Sequence, residues 1–433
     1  MTPTYSRTQT AGATAPGVSL DAENTNRLSV WIFVAWLATY VVEGPLRAGL
    51  AAVGLQNLLY GRDLLALTGV AWAVVMPLLH RRRPAPGLVL MVWLLAVHVC
   101  IGLLLGGTLF QRLFGVKIFI PLLYGVAVFP AVERHFPLFL RATAAFFAVS
   151  ILGVFINAVI GDMPWAGQRY ETAFGAAETT RQWWLTGGIS RLPGFARASF
   201  DAAMVIGLCG VMVIALTPSI WWRALVATLG MAAIFLTTSK GMVAGFGIAA
   251  LWLVLADRSD TSFKLGCWIV AALLLLTCLL PTVFMIVRVP AASTEVPELL
   301  SSLWDRFAWM WPSAYDLLPD GFGALSGVGP GGIGTALDQP DQKFIPNSGD
   351  SIFVYFFVTF GLVGVVYLGF ALLAIVGRSD ARDSRAFVWA GLLIIAYGYG
   401  LSINMVEQSF FCAVFGLLYG RAFAAVSSTG ERA

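Results

Sequence analysis

The chain has 433 residues, 58% hydrophobic and only 12% charged, with a formal net charge of +4. A soluble domain carries about 25% charged residues, so this composition excludes a water-soluble enzyme, and it excludes intrinsic disorder as well. The implied solvent is lipid: at about 20 apolar residues per crossing, there is room for roughly a dozen spans.

Residues 1–27 are polar and rich in Thr, Ala and Pro, and read as a cytoplasmic tail. The apolar run from Leu28 lacks a small-residue cleavage site, so it reads as a retained span. The apolar runs predict twelve transmembrane helices: 28–46, 62–79, 87–106, 113–130, 138–160, 200–217, 222–238, 241–256, 265–287, 351–376, 386–402 and 404–423. The expected fold is an all-α, polytopic integral membrane protein. Ala48–Leu59 is apolar but too short to cross, and reads as a re-entrant or interfacial piece. Segment 28–287 carries nine spans with an outer loop at 161–199. A large extracytoplasmic loop, 288–350, precedes the tenth span. Segment 351–424 carries the last three spans, and 425–433 is a second cytoplasmic tail.

Basic residues orient the chain. His80–Arg83, Arg134, Arg258 with Lys264, and Arg378–Arg385 fall on one side, which the positive-inside rule makes cytoplasmic. Both termini then lie inside and both long loops outside. Leu299–Leu318, with three tryptophans, reads as a short helix lying on the membrane surface. The five cysteines sit in apolar runs as packing residues, with neither a zinc spacing nor a disulfide framework. Nothing suggests nucleic acid.

The outer side holds the residues that could carry chemistry. Arg191 and Arg197 precede the sixth span, beside Asp201, where guanidinium forks can grip phosphate oxygens or merely anchor the loop by snorkelling. Lys240 follows Thr237-Thr238-Ser239 in a tight turn that can hold an anion or simply close a hairpin. Arg288 opens the large loop. Trp304, Arg306 and Trp309 follow, with Arg306 and Trp309 on one helical face. Indoles there suit sugar rings, or an interfacial aromatic belt. Arg306 can also pair with Asp305 or another loop acid. Gly327-Val-Gly-Pro-Gly-Gly332 lacks the Lys-Ser/Thr of a phosphate-binding loop and reads as a turn. Asp350 either caps the tenth span or offers a carboxylate at a cavity mouth. Lys117, roughly 6 Å into the fourth span, has Arg112 nearby. Glu407 lies near the outer end of the last span, as a site residue or as a partner of Lys117. His98, mid-span, reads as a hydrogen-bonded core residue.

From the fifth span onward the sequence resembles the superfamily of Wzy polysaccharide polymerases and O-antigen ligases. The resemblance is carried by Arg191-x-x-Gly194-Phe195, the Thr-Thr-Ser-Lys-Gly turn, Ser302–Trp309, Gly327–Gly331 and Phe360-Gly-Leu-Val-Gly364. It is closest to exopolysaccharide polymerases of the xanthan type. It implies a polyprenyl-diphosphate-linked glycan as donor and a second lipid-linked repeat as acceptor. It further implies inverting, metal-independent transfer without a cofactor, on the outer face of a bacterial inner membrane. A chain-length regulator is the protein partner such a reading admits. Arg191, Arg197, Lys240 and Arg306 would then hold the diphosphate. The base would be Asp350 first, then Asp201 or Glu407. Ligases typically carry a histidine where this chain reads Asn347-Ser348-Gly349-Asp350, which weakens the ligase alternative. A lipid-linked glycan flippase is the rival of another class, although the halves show no repeat.

Overall fold

The computed structural model describes residues 20–81, 84–172, 175–181, 190–290, 298–336, 349–376 and 384–430. The tail up to residue 19, Arg82 and Arg83, Asn347 and Ser348, the loop 377–383 and residues 431–433 lie outside the described residues.

The elements run α1 (Leu20–Val41), α2 (Glu43–Ala52), a 3-10 turn (Gln56–Tyr60), α3 (Gly61–Leu79), α4 (Pro86–Leu104), α5 (Leu109–Arg134) and α6 (Phe136–Ile160). A two-stranded antiparallel hairpin follows, β1 (Arg169–Thr172) and β2 (Gly175–Glu178). Next come α7 (Ser199–Leu216), α8 (Ile220–Leu236), α9 (Lys240–Leu255) and α10 (Asp260–Ile286). The large loop holds α11 (Glu298–Asp305), a π turn (Arg306–Met310), α12 (Trp311–Tyr315) and α13 (Gly323–Ser326). The chain ends with α14 (Ile352–Phe360), α15 (Leu362–Phe370), α16 (Leu373–Val376), α17 (Ser384–Gly400) and α18 (Ser409–Gly430).

The protein is thus an all-α, polytopic membrane protein. Among the described residues, seven helices are long and apolar enough to cross a membrane, eight if the bent pair α1–α2 is one span. Shorter apolar helices occupy Ile220–Leu236, Lys240–Leu255 and Leu362–Val376. The most apolar stretch of α7 is 78% buried inside the protein and that of α3 only 11%, so α7 is an inner helix and α3 an outer one.

Three elements depart from the predicted spans. The first span is bent by 84° between α1 and α2. Ala48–Leu59 forms the end of α2 and most of the 3-10 turn, beyond a bend that makes this region a broken span or a re-entrant piece. The last span starts at Ser409, so Asn404, Glu407 and Gln408 lie in the preceding loop rather than in the helix. The tenth span is broken at Gly361, which has φ +61 and ψ −143. Only glycine adopts that backbone readily.

The break exposes helix carbonyls, which hydrocarbon cannot satisfy. The Gly327–Gly332 turn supplies the missing donors: Val328 N–H donates to Val358 O at 2.8 Å and Gly329 N–H to Thr359 O at 2.9 Å. The turn's own carbonyls are held by Arg112, whose guanidinium donates to Val328 O at 2.9 Å and Pro330 O at 3.2 Å. Gln111 completes the clamp through Gly331 O at 2.7 Å. The predicted turn is therefore a brace between α5 and α14. Arg112 is a structural cation and not a second charge beside Lys117. His98 is buried and bonded to Leu94 O, as a core residue should be.

Candidate functional site

The Arg191–Arg197 segment is fixed before α7 begins. Asn157 on α6 accepts the Gly194 N–H at 3.0 Å, and Phe195 O accepts from Gly44 N–H at 2.9 Å. A side chain at Gly194 (φ +58) would run into the α6 backbone at Gly153 and Val154, which explains the glycine of the Arg-x-x-Gly-Phe motif. The segment therefore presents Arg191 and Arg197 from a rigid support.

Arg306 comes from the large loop. The expected straight helix is a π turn here, with Trp311 N–H reaching back to Arg306 O. The wider turn separates Arg306 from Trp309. Arg306 faces inward with a side chain 15% exposed, while Trp309 is 38% exposed, so the two do not share a face. The segment is not a free surface helix either: Met310, Trp311 and Ala314 are buried, and Phe307 stacks on Phe284 of α10 at 3.9 Å.

Arg306 Nη2 donates to Asp350 Oδ2 at 3.0 Å, and its Nη1 to Ser302 O at 2.5 Å. The partner of Arg306 is thus another acid of the loop, Asp350, rather than its neighbour Asp305. Asp350 makes no helix cap; Ser351 takes the capping position of α14, without a side-chain bond. The Asp350 main chain is held from the other side by Trp311 Nε1 through Asp350 O at 3.4 Å. Burial pushes the Asp350 carboxyl above the ordinary range, and Arg306 only partly offsets this. A carboxylate with raised proton affinity is better suited to act as a base near neutrality.

Arg191 approaches the same pair, with Tyr399 and Arg306 as its electrostatic neighbours. Burial lowers its proton affinity, yet an arginine remains charged. Tyr399, at the end of α17, also lies within electrostatic reach of Asp350 and of Asp201 on α7. Its hydroxyl accepts from Ser239 Oγ at 3.0 Å, which ties in the Thr237–Lys240 turn. Thr238 takes φ +59 in that turn, and Lys240 opens α9 with an exposed side chain.

Four of the expected site residues carry a buried donor with no protein partner: Arg191 Nε, Arg197 Nε, Trp304 Nε1 and Arg306 Nε. Buried donors are normally satisfied. Arg191 and Arg306 are electrostatic neighbours, and two such unpartnered donors suit a polar, anionic ligand.

A second cluster adjoins this one. Glu43, in the α1–α2 bend, pairs with Arg47 at 2.5 Å and with Arg62 at 3.2 Å. Arg47 also meets the Tyr170 hydroxyl, which docks the hairpin, and Arg62 lies over the Tyr40 ring at 4.2 Å. Arg197 and Asp201 face Glu43 electrostatically, so they link the two clusters. Burial, followed by the repulsion of Arg47, lowers the proton affinity of Arg197.

Three expected residues stand apart from Arg306 and Asp350. Lys117 pairs with Asp63 at 2.9 Å, not with Glu407. Arg288 forms an exposed pair with Asp316 at 2.8 Å. Glu407 accepts from Thr335 N–H at 2.7 Å and pins the end of the glycine turn.

Sequence reasoning missed Glu43, Arg47, Arg62 and Tyr399. Glu43 and Arg47 were findable, as an i, i+4 acid–base pair at the end of an apolar span. Tyr399 carried no such signal, because one tyrosine at a span end is ordinary.

Among the described residues, no group of three or more His, Cys, Asp or Glu is arranged to hold a metal ion. No protein-family model matches the chain, and no curated protein matches it.

Proposed function

We propose that the chain is a membrane glycosyltransferase that polymerises polyprenyl-diphosphate-linked oligosaccharide repeats, for exopolysaccharide synthesis on the outer face of a bacterial inner membrane. The single observation behind this reading is the meeting of Arg191, Arg306 and Asp350. They come from separate segments of the chain, at one end of a lipid-embedded bundle. The sequence resemblance supplies the substrate class. In this reading the chain crosses the bilayer twelve times, counting the shorter helices and the broken tenth span, with both termini cytoplasmic.

The reaction is a displacement at the anomeric carbon of the donor glycan. The acceptor hydroxyl oxygen forms the new bond as the bond from that carbon to the diphosphate oxygen breaks. The electron pair leaves with the diphosphate, and the hydroxyl proton passes to Asp350. Arg191, whose fork has no carboxylate partner among the described residues, stabilises the charge growing on the leaving group. Arg306 orients Asp350 and keeps part of its positive field toward the same oxygen atoms. Trp304, with its unpaired indole N–H, lies beside the path of the glycan.

An O-antigen ligase would use the same chemistry with another acceptor. Transport has two favourable observations, the 84° bend between α1 and α2 and the break between α14 and α15, since transporters use broken helices. The break at Gly361 is already satisfied by Val328 and Gly329, and Glu43 in the α1–α2 bend is paired with Arg47 and Arg62, so both are committed to the protein.

Arg191→Lys, Arg306→Lys and the two alanine variants test the site. Loss of the fork alone is expected to lower polymer yield by about tenfold or more, and loss of the charge by more still. Full yield in all four variants would make these arginines mere anchors and defeat the reading.

A further inference from the structure

Tyr399 and Ser239 form a pair that the reaction above does not use. Tyr399 is 3% exposed and closes α17, while Ser239 sits in the α8–α9 turn. The two hydroxyls share one hydrogen bond, Ser239 Oγ to Tyr399 Oη at 3.0 Å. Two hydroxyls carry two protons, and one bond uses only one of them. With Ser239 as the donor, Tyr399 keeps its proton for a further acceptor; with the bond reversed, Ser239 keeps it. Leaving a buried donor undonated costs about 1–3 kcal/mol, so a fold keeps such a group where a ligand uses it.

The surroundings identify the ligand chemistry. Arg191, Arg306, Asp350 and Asp201 are the charged groups facing the phenol. Arg306 is paired with Asp350 through one Nη, while Arg191 lies within electrostatic reach of Tyr399 without such a pair among the described residues. A neutral donor within electrostatic reach of a guanidinium whose Nε has no partner matches a phosphoryl oxygen. It suits an acceptor sugar hydroxyl less well, because that oxygen must lose a proton, not receive a bond. Ser239 fixes the phenol from behind, as a positioning residue.

We infer that Tyr399 donates a hydrogen bond to a phosphoryl oxygen of the leaving lipid diphosphate, held in place by Ser239. This rests on the glycosyl-transfer reading and adds a donor that carries no charge of its own. Such a donor strengthens its bond as negative charge grows on the leaving oxygen.

The test is binding of farnesyl diphosphate to the full-length protein in nanodiscs, followed by tryptophan fluorescence and checked by calorimetry. Wild-type protein is expected to bind, and Tyr399→Phe to bind about 10- to 100-fold more weakly, the loss of one bond to a charged oxygen. Ser239→Ala keeps the phenol but frees it, and is expected to fall between the two. It also serves if the Phe variant unfolds, which its thermal midpoint reveals. Wild-type binding with both variants unchanged would overturn the inference and leave the polymerase reading intact. No binding by wild type at millimolar ligand would overturn the diphosphate site itself, and the inference with it.

Discussion

Asp350 has two environments competing for its proton, burial and Arg306. Burial dominates, so its carboxyl sits above the ordinary range, with Arg306 pulling it back down. If the ionised form is the base, activity rises as pH rises through that raised value. Arg306→Ala removes the downward pull, so the acid limb of the pH–rate profile is expected to move to higher pH. Arg306→Lys keeps the charge, so the limb is expected to stay near that of wild type while the rate falls. A limb that moves down in Arg306→Ala would contradict the pairing. Asp350→Asn keeps the shape but cannot take a proton, and polymer yield is expected to fall below detection. Lys117 offers the contrast. Its pair with Asp63 is partly exposed, of the kind worth about 0–1 kcal/mol. Lys117→Met is therefore expected to leave polymer yield within twofold of wild type. The sequence made Arg306 and Asp350 visible separately, by residue type at a loop–span junction. Their pairing was not visible, because 44 positions separate them and nothing in the local pattern selects Asp350 over Asp305.

At the scale of elements, the brace between the glycine turn and the broken tenth span is the feature least readable from sequence. Residues 351–376 look like one apolar run because composition cannot register a change in backbone direction. The glycine turn was legible as a turn; its partner was not. The structure shows why the two belong together. A Cβ at Gly327 would meet the backbone at Thr359 and Gly361, and one at Gly361 would meet Leu325 and Gly327. Each glycine therefore admits the other. Gly361→Ala adds both this clash and about 1–3 kcal/mol of backbone strain. Arg112→Met strips the turn of its carbonyl donor and is expected to cost roughly 3 kcal/mol. Both variants should show a lower thermal midpoint in detergent. An unchanged midpoint in Arg112→Met would mean that the brace carries no stability. The π turn at Arg306 was similarly hidden, since its residues fit an ordinary helix.

For the whole molecule, apolar runs located the membrane-length helices, because lipid selects length and composition together. The Arg306–Asp350 pair and the Glu43 cluster are linked through Arg197, Asp201 and Tyr399 at the start of α7, whereas Arg223 and Arg258 bind carbonyls at its far end and Arg421 pairs with Glu133. The sign of each end is a prediction from loop charge. In a cysteine-free background, Thr335→Cys is expected to react with an impermeant thiol reagent added to intact cells. Asp260→Cys should react only after permeabilisation. The reverse pattern would turn the site toward the cytoplasm and remove the lipid-diphosphate argument, because nucleotide-activated sugars are available there.

The most direct measurement is made on purified protein in nanodiscs, supplied with its lipid-diphosphate-linked repeat unit and no nucleotide. The products are resolved on a gel beside a no-enzyme control and the Asp350→Asn variant. A ladder of repeat multiples from wild type alone is the predicted result. No ladder from a sample that moves the same lipid across the bilayer would contradict the account and identify a transporter instead.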